Sequence, residues 1–250
     1  MEIFRELNEE LLRQPFDGCC EDSEVEACRR TASTYASTEG AIAVLSDLGT
    51  GRSRIYYGGL AATLGLASCG KVEDIPSIWE TEILGRIHPD DLIGKQLNEL
   101  RFFRMLKHGP ERRRRDHCLL EPLRMRDRSG RYVPVVHRIL YLSGRADGCV
   151  RMVLCLYNAA CTLRPERSMI VCMSDGRSVP LERREDGRLL TSREREVLRL
   201  IGEGASSKEI ARRLSIALHT VNRHRQNILG KLQVRNSVEA YRLAERLRLL

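Results

Sequence analysis

The chain has 250 residues, 42% of them hydrophobic and 30% charged, with a formal net charge of +8. That length suits two compact domains with cores of ordinary size, and the composition is that of soluble globular protein rather than a disordered or fibrous chain. The charge is unevenly placed: residues 190–250 hold 13 Lys/Arg against 6 Asp/Glu, a net of +7, and the preceding 189 residues hold 29 against 28, a net of +1. A basic excess confined to one small segment points to a polyanionic partner there, with nucleic acid the commonest.

Glu2, Glu6, Glu9 and Glu10 stand where an export signal would need positive charge. The longest apolar stretches, such as Met152 to Tyr157, fall far short of the roughly 20 residues that cross a bilayer. Nine cysteines, an odd number, never form a C-x-x-C pair, so a reduced compartment and inert thiols are expected, the adjacent Cys19 and Cys20 included. These features together predict a cytoplasmic protein with no membrane contact.

In chain order, residues 1–35 read as helical, with Ile3, Leu7 and Leu11 at four-residue spacing. Ala41 to Leu45 and Ser53 to Tyr57 flank Gly49 and Gly51 as a hairpin. Asp90 is expected to cap a helix reaching Lys107, with Ile93, Leu97, Leu100 and Phe103 on one face. Cys118 to Arg126 and Tyr132 to Leu142 surround a turn at Arg128, Ser129 and Gly130. Val150 to Tyr157 alternates as a largely buried strand would. The order is a strand pair, helices, then three strands, which predicts an α+β domain around an antiparallel sheet. Pro165, Gly176, Pro180 and Gly187 then punctuate a short apolar run, Met169 to Met173, and a charged stretch, Glu182 to Arg188. This reads as a β-hairpin and linker over 166–189.

The first domain, 1–165, resembles the PAS sensor fold over roughly residues 35–160. The likeness rests on Ala41 to Ser46 with Tyr57, Gly58 and Gly59, on Leu64 and Gly65, on His88-Pro89-Asp90-Asp91, and on the Asp127 to Tyr132 turn. It implies a sensory or dimerisation role, with a small-molecule ligand open as a partner. No residue-level role transfers, because fold does not imply function. His88, His108, His117 and His137 show no metal-ligand spacing, and no phosphate loop or nucleophile elbow stands out. Neither cofactor, metal nor catalytic residue is therefore expected. His88-Pro89 reads as a turn into the following helix, and Arg112 to Arg115 as a solvated loop.

From Leu190 the patterning becomes tightly helical. Thr191 with Glu194, and Ser206 with Glu209, have capping-box spacing, and Asn236 with Glu239 repeats it. Val197, Leu198 and Ile201 stripe the first helix, which stops at Gly202 to Gly204; Ile210, Ala211 and Leu214 line a short second one. Ser215 and Ile216 turn the chain into a third, about Leu218 to Leu232, burying Val221, Ile228 and Leu232. A fourth helix offers Val238, Tyr241, Ala244 and Leu247 for packing. Two short helices across a tight turn make a helix-turn-helix. Asn222, Arg223, Gln226 and Asn227 project from the third helix, and these are the side chains that read guanine and adenine edges in a major groove.

Leu190 to Ala240 resembles the LuxR-type (GerE-like) DNA-binding domain. The match runs through Leu190, Thr191, Arg193, Glu194, Glu196, Val197 and Leu198, then Gly204, Ser206, Lys208, Glu209, Ile210, Ala211 and Leu214. It continues through Thr220, Val221, His224, Ile228, Lys231, Leu232 and Val234 to Ala240. The resemblance implies an all-α four-helix domain over 190–250 that binds double-stranded DNA as a homodimer, pairing through the fourth helix, with RNA polymerase contact open. Its implied DNA-binding set is Ser206, Lys208, Thr220, Val221, Asn222, Arg223, His224, Gln226, Asn227 and Lys231. Asn222, Arg223 and Gln226 fall where the family reads bases; Lys208, Thr220, His224 and Lys231 fall near phosphates. One departure is Ala217, which stands where the family usually has a capping Ser. A sigma-factor-like promoter reader, and a ligand- or haem-binding sensor with an enzymatic N-terminal domain, stay open as alternatives to a non-enzymatic regulator.

Overall fold

The computed structural model describes residues 2–16, 21–107, 115–144, 149–160, 165–181, 190–232, 234–247 and 249–250. Cys19, Cys20, His108, Arg112 to Arg114 and the Glu182 to Arg188 stretch lie outside the described residues. Two compact units make up the chain, Leu7–Leu181 and Met1–Glu6 with Glu182–Leu250.

The first unit is built on eight antiparallel strands: β1 (Ile42–Asp47), β2 (Arg52–Tyr57), β3 (Val72–Ile75), β4 (His117–Arg126), β5 (Tyr132–Gly144), β6 (Val150–Ala159), β7 (Met169–Cys172) and β8 (Ser178–Pro180). Their order across the sheet is β3-β2-β1-β6-β5-β4-β7-β8. Helix α1 (Glu2–Leu12) opens the chain and belongs to this unit from Leu7 on, and four further helices precede or interrupt the strands: α2 (Asp22–Thr38), α3 (Gly59–Leu64), α4 (Thr81–Leu84) and α5 (Pro89–Lys107). This is the α+β class that the strand–helix–strand order predicts. The stretch expected to be helical over 1–35 is two helices, α1 and α2. Strand β3, with alternating half-exposed Val72, Glu73, Asp74 and Ile75, carried no apolar run to announce it.

The sheet is covered on both faces, which is why its central strands lack a clean polar face. On one side Ile42, Val44, Ile139, Tyr141 and Tyr157 pack with Leu60 and Leu64 of α3 and Phe102, Phe103 and Leu106 of α5. On the other, Ala43, Leu45, Leu154 and Leu156 meet Cys28, Ala32 and Ala36 of α2, whose small side chains let the helix lie close. Turn chemistry fixes the register. Asp127 Oδ1 accepts the backbone N–H groups of Ser129 at 2.8 Å and Arg131 at 3.0 Å, while Gly130 takes φ +87°. The β7–β8 hairpin, read from sequence as part of a linker segment, pairs β7 with β4, Cys118 opposite Val171, and so covers an otherwise open sheet edge.

At the start of α5 the expected Asp90 cap is displaced by two residues. His88 Nδ1 faces the Asp90 N–H at 3.3 Å, the His88 carbonyl accepts from Asp91 and Leu92, and Asp91 instead holds Arg124 at 2.7 Å. Pro89 at the first helical position fits this start, since it has no N–H to satisfy. His88 thus turns the chain into the helix.

The second unit contains α6 (Ser192–Gly202), α7 (Ser207–Arg213), α8 (Leu218–Leu232) and α9 (Ser237–Arg246). Leu190, Val197, Leu198, Ile210, Val221, Ile228, Leu232, Ala240, Leu243 and Ala244 are buried in it. Val238 is 58% exposed, contrary to the packing role expected of it; Ala240 and Leu243 take the inward phase of α9 instead.

Candidate nucleic-acid interface

Helices α6 and α7 are closed at their N-termini by complete capping boxes. Thr191 Oγ1 accepts from the Glu194 N–H at 3.2 Å while Glu194 Oε2 accepts from the Thr191 N–H at 2.8 Å; Ser206 and Glu209 repeat the exchange at 3.3 and 2.7 Å. Their C-termini share one design with different residues. After α6, Gly204 takes φ +83°, with Ala205 N–H bonding the Leu200 carbonyl and Gly204 N–H that of Ile201. After α7, Ser215 takes the same left-handed position at φ +51°, with Ile216 bonding Ala211 and Ser215 bonding Arg212. Both are Schellman ends, but the second places a side-chain-bearing residue where glycine is favoured. This tight reversal leads from α7 into α8, and Arg193 Nη2 braces it by donating to the Leu214 carbonyl at 2.6 Å.

Helix α8 is two-faced. Val221, Ile228 and Leu232 are buried, whereas Asn222, Arg223, Gln226 and Asn227 are exposed, and Arg223 and Gln226 lie three residues apart on one side. Thr220 and His224 are half-buried at the flank, and Ser206 and Lys208 are exposed at the start of α7. An exposed row of guanidinium and carboxamide groups on a rigid backing has the donors and acceptors that base edges require.

Residues 188–244 match the family described as bacterial regulatory proteins, luxR family. They form a LuxR-family helix-turn-helix domain. Over 51 residues the chain is 49% identical to the monoamine regulon transcriptional regulator of Klebsiella aerogenes, covering 20% of this chain and 22% of that protein. It is 51% identical over 51 residues to the transcriptional regulatory protein DesR of Bacillus subtilis (strain 168), covering 20% and 26%. The chain spans less than half the length of the curated relatives it matches. Among solved structures, the phage VqmA–DPO complex is similar over 90% of this chain and 91% of that chain, at 13% identity and a TM-score of 0.28.

Within the LuxR-family domain, two residues of the expected contact set face inward. Val221 is fully buried, and its side chain supports the helix from within. Lys231 points at the core of its own domain: its Nζ lies 2.9 Å from Glu194 Oε2, and the two side chains are 17% and 3% exposed. The same carboxylate oxygen thus closes the α6 capping box and pairs with α8. Burial would push the Glu194 carboxyl up, yet the hydrogen bonds from Lys231 and the Thr191 backbone hold it below the usual carboxylate range. The remaining expected residues stay on the accessible side. Sequence reasoning passed over Arg225, whose Nη1 donates to Ser207 Oγ at 2.8 Å and ties α8 to the first turn of α7. At the start of α8, Ala217 offers only its carbonyl, to Thr220 and Val221, so no side chain caps from that position.

The sheet unit holds a different constellation. Glu80, Lys95, Glu99, Glu121 and His137 are all buried in it. Lys95 pairs with Glu99 one turn along α5, the Tyr157 hydroxyl donates to Glu80 Oε1 at 2.7 Å, and Glu121 takes the Asn98 amide at 2.8 Å. Burial pushes Glu121 up to about 8, and the Glu99 charge adds to it. Burial, with the Lys95 charge behind it, holds His137 well below its ordinary value, so its ring is neutral. Nothing here was foreseen from the sequence, although period-2 phase offered a sign: Leu119, Glu121, Leu123 and Met125 share one face of β4, and Val135, His137, Ile139 and Tyr141 one face of β5.

Proposed function

We propose that this protein is a cytoplasmic, sequence-specific transcription regulator that binds double-stranded DNA as a homodimer, laying α8 in the major groove. The observation that carries the reading is the exposed row Asn222, Arg223, Gln226 and Asn227 backed by buried Val221 and Ile228. Lys208 and the half-buried Thr220 and His224 flank that row as phosphate contacts. The net charge of +7 over residues 190–250 supports a polyanionic partner. The names of the similar regulators from Klebsiella aerogenes and Bacillus subtilis agree with it. A single recognition helix touches too few bases for genomic selectivity, so two copies read two half-sites about one helical turn apart. The sheet unit, similar in sequence pattern to a PAS sensor, supplies the signal that sets DNA affinity.

Selection of bound duplexes from a random pool by the full chain tests this. Enrichment of a two-part site with half-sites about 10 base pairs apart, bound with affinity that falls steeply with salt, is expected. Recovery of unenriched sequence, or of a single half-site bound by one copy, contradicts it.

A further inference from the structure

Glu99 of α5, His137 of β5 and Cys155 of β6 bring one donor atom each to within 4.8 Å of one another, and all three residues are buried. Strand pairing sets two of them side by side: Ile139 lies opposite Cys155 and His137 opposite Tyr157, so His137 and Cys155 are diagonal neighbours on one face. Helix α5, packed on that face through Phe102 and Phe103, brings Glu99 to them.

The histidine separates this cluster from groups that are merely close. Its Nδ1 lies 3.1 Å from Glu121 Oε2, Glu121 is anchored in turn by Asn98, and the ring stacks on Tyr157 with centroids 4.6 Å apart. The other nitrogen, Nε2, is buried and has no hydrogen-bond partner. A bare buried ring nitrogen is rare, because an unmet polar atom costs stability. A histidine oriented by a carboxylate through one nitrogen, with the other nitrogen bare, is the arrangement that metal-ligating histidines adopt.

We propose that Glu99, His137 and Cys155 bind one divalent ion of the zinc class, through a carboxylate oxygen, Nε2 and the thiolate. A mixed oxygen, nitrogen and sulfur set favours a borderline-soft ion over magnesium or calcium. Donors around such an ion lie about 3.5 Å apart, as bond lengths of about 2.0–2.3 Å in a tetrahedron require. The three donors therefore close by about an ångström on binding. Glu99 and Cys155 also line a cavity of about 40 Å³, together with Lys95, Tyr141 and Trp79. That is room for water or a very small ligand. Lys95 is the competitor, since its ammonium pairs with Glu99. It also feels the charge of Glu80, so metal entry shifts Lys95 from one carboxylate towards the other. As the metal–sulfur bond forms, the Cys155 S–H bond breaks and its proton passes to solvent; no electron is transferred.

The test is titration of chelator-treated full chain with cobalt(II) alone, followed by zinc(II). One equivalent of cobalt should develop a thiolate-to-metal charge-transfer band with the visible bands of a tetrahedral site, and zinc should bleach both. Cys155→Ser should abolish the charge-transfer band, and His137→Gln should weaken cobalt at least 10-fold. If either variant fails to fold by circular dichroism, X-ray absorption at the zinc edge of the loaded wild-type chain decides. One sulfur with nitrogen and oxygen neighbours supports the site. No sulfur, several sulfurs, binding of less than half an equivalent, or a cobalt spectrum unchanged in folded Cys155→Ser overturns it. None of these readouts involves DNA, so the nucleic-acid reading stands or falls separately.

Discussion

In the helical unit the buried carboxylate Glu194 is saturated, its Oε2 receiving the Thr191 backbone N–H at 2.8 Å and the Lys231 ammonium at 2.9 Å. In the sheet unit the buried pair Glu121 and His137 is left open at one atom: Glu121 is held by Asn98 and by His137 Nδ1, but His137 Nε2 has nothing to satisfy it. A closed network stiffens a scaffold, whereas a buried polar atom without a partner costs stability until something meets it. The helical unit thus spends its polar core on holding α6 and α8 rigid, and displays its chemistry outside on α8. The sheet unit keeps its chemistry inside.

The largest effect should come from opening the closed network. Lys231→Met leaves the Glu194 carboxylate buried without its counter-ion and should cost about 3 kcal/mol. Thermal melting by circular dichroism checks this, while fluorescence of the sole tryptophan, Trp79, follows the sheet unit separately. Adding Glu194→Gln to it should recover part of the loss. A folded, equally stable Lys231→Met that bound all DNA more weakly would return Lys231 to the phosphate-contact set.

The sheet unit should respond to pH in the opposite sense from an ordinary carboxylate. Glu121 is raised from 4.5 to about 8, so its contribution is complete below 4.5 and is lost as pH rises through 8. His137 is lowered from 6.5, so its contribution is present above 6.5 and is lost as pH falls. The two oppose each other between 4.5 and 6.5, and Glu121 acts without that opposition from 6.5 to 8. Urea unfolding followed through Trp79 should show stability falling over that upper window by at most about 1.4 kcal/mol per pH unit. Glu121→Gln should flatten the slope; an unchanged slope would mean that Glu121 is ionised when folded.

A smaller gain is expected at the start of the recognition helix. Ala217→Ser supplies the missing side-chain cap and should stabilise the helical unit by about 1 kcal/mol, read as a raised melting temperature. No gain would mean that the Ala217 position lacks the extended backbone a cap needs.

The helical unit was legible because its signals are local. Thr191 with Glu194, Ser206 with Glu209 and Asn236 with Glu239 act three residues apart, and the structure forms those contacts. The Lys231–Glu194 pair spans 37 residues, and no spacing rule links them. The polar core of the sheet unit was hidden for the same reason on a larger scale: α5, β4, β5 and β6 must assemble before Lys95, Glu121, His137 and Cys155 meet. Charged residues default to the surface in a sequence reading, so only their phase among inward-facing neighbours marks them. The β7–β8 hairpin was visible as a hairpin, but its pairing with β4 depends on an edge that only the folded sheet presents.

The exposed row of α8 is the proposed reading surface, and Arg223→Ala tests it directly. Its affinity should be measured by fluorescence anisotropy on the selected two-part site and on an unrelated duplex, after circular dichroism shows the variant folded. A loss of about 1–3 kcal/mol on the selected site, with little change on the unrelated duplex and relaxed preference at one base position, is the predicted result. Equal weakening on both duplexes would contradict it and make Arg223 a backbone contact.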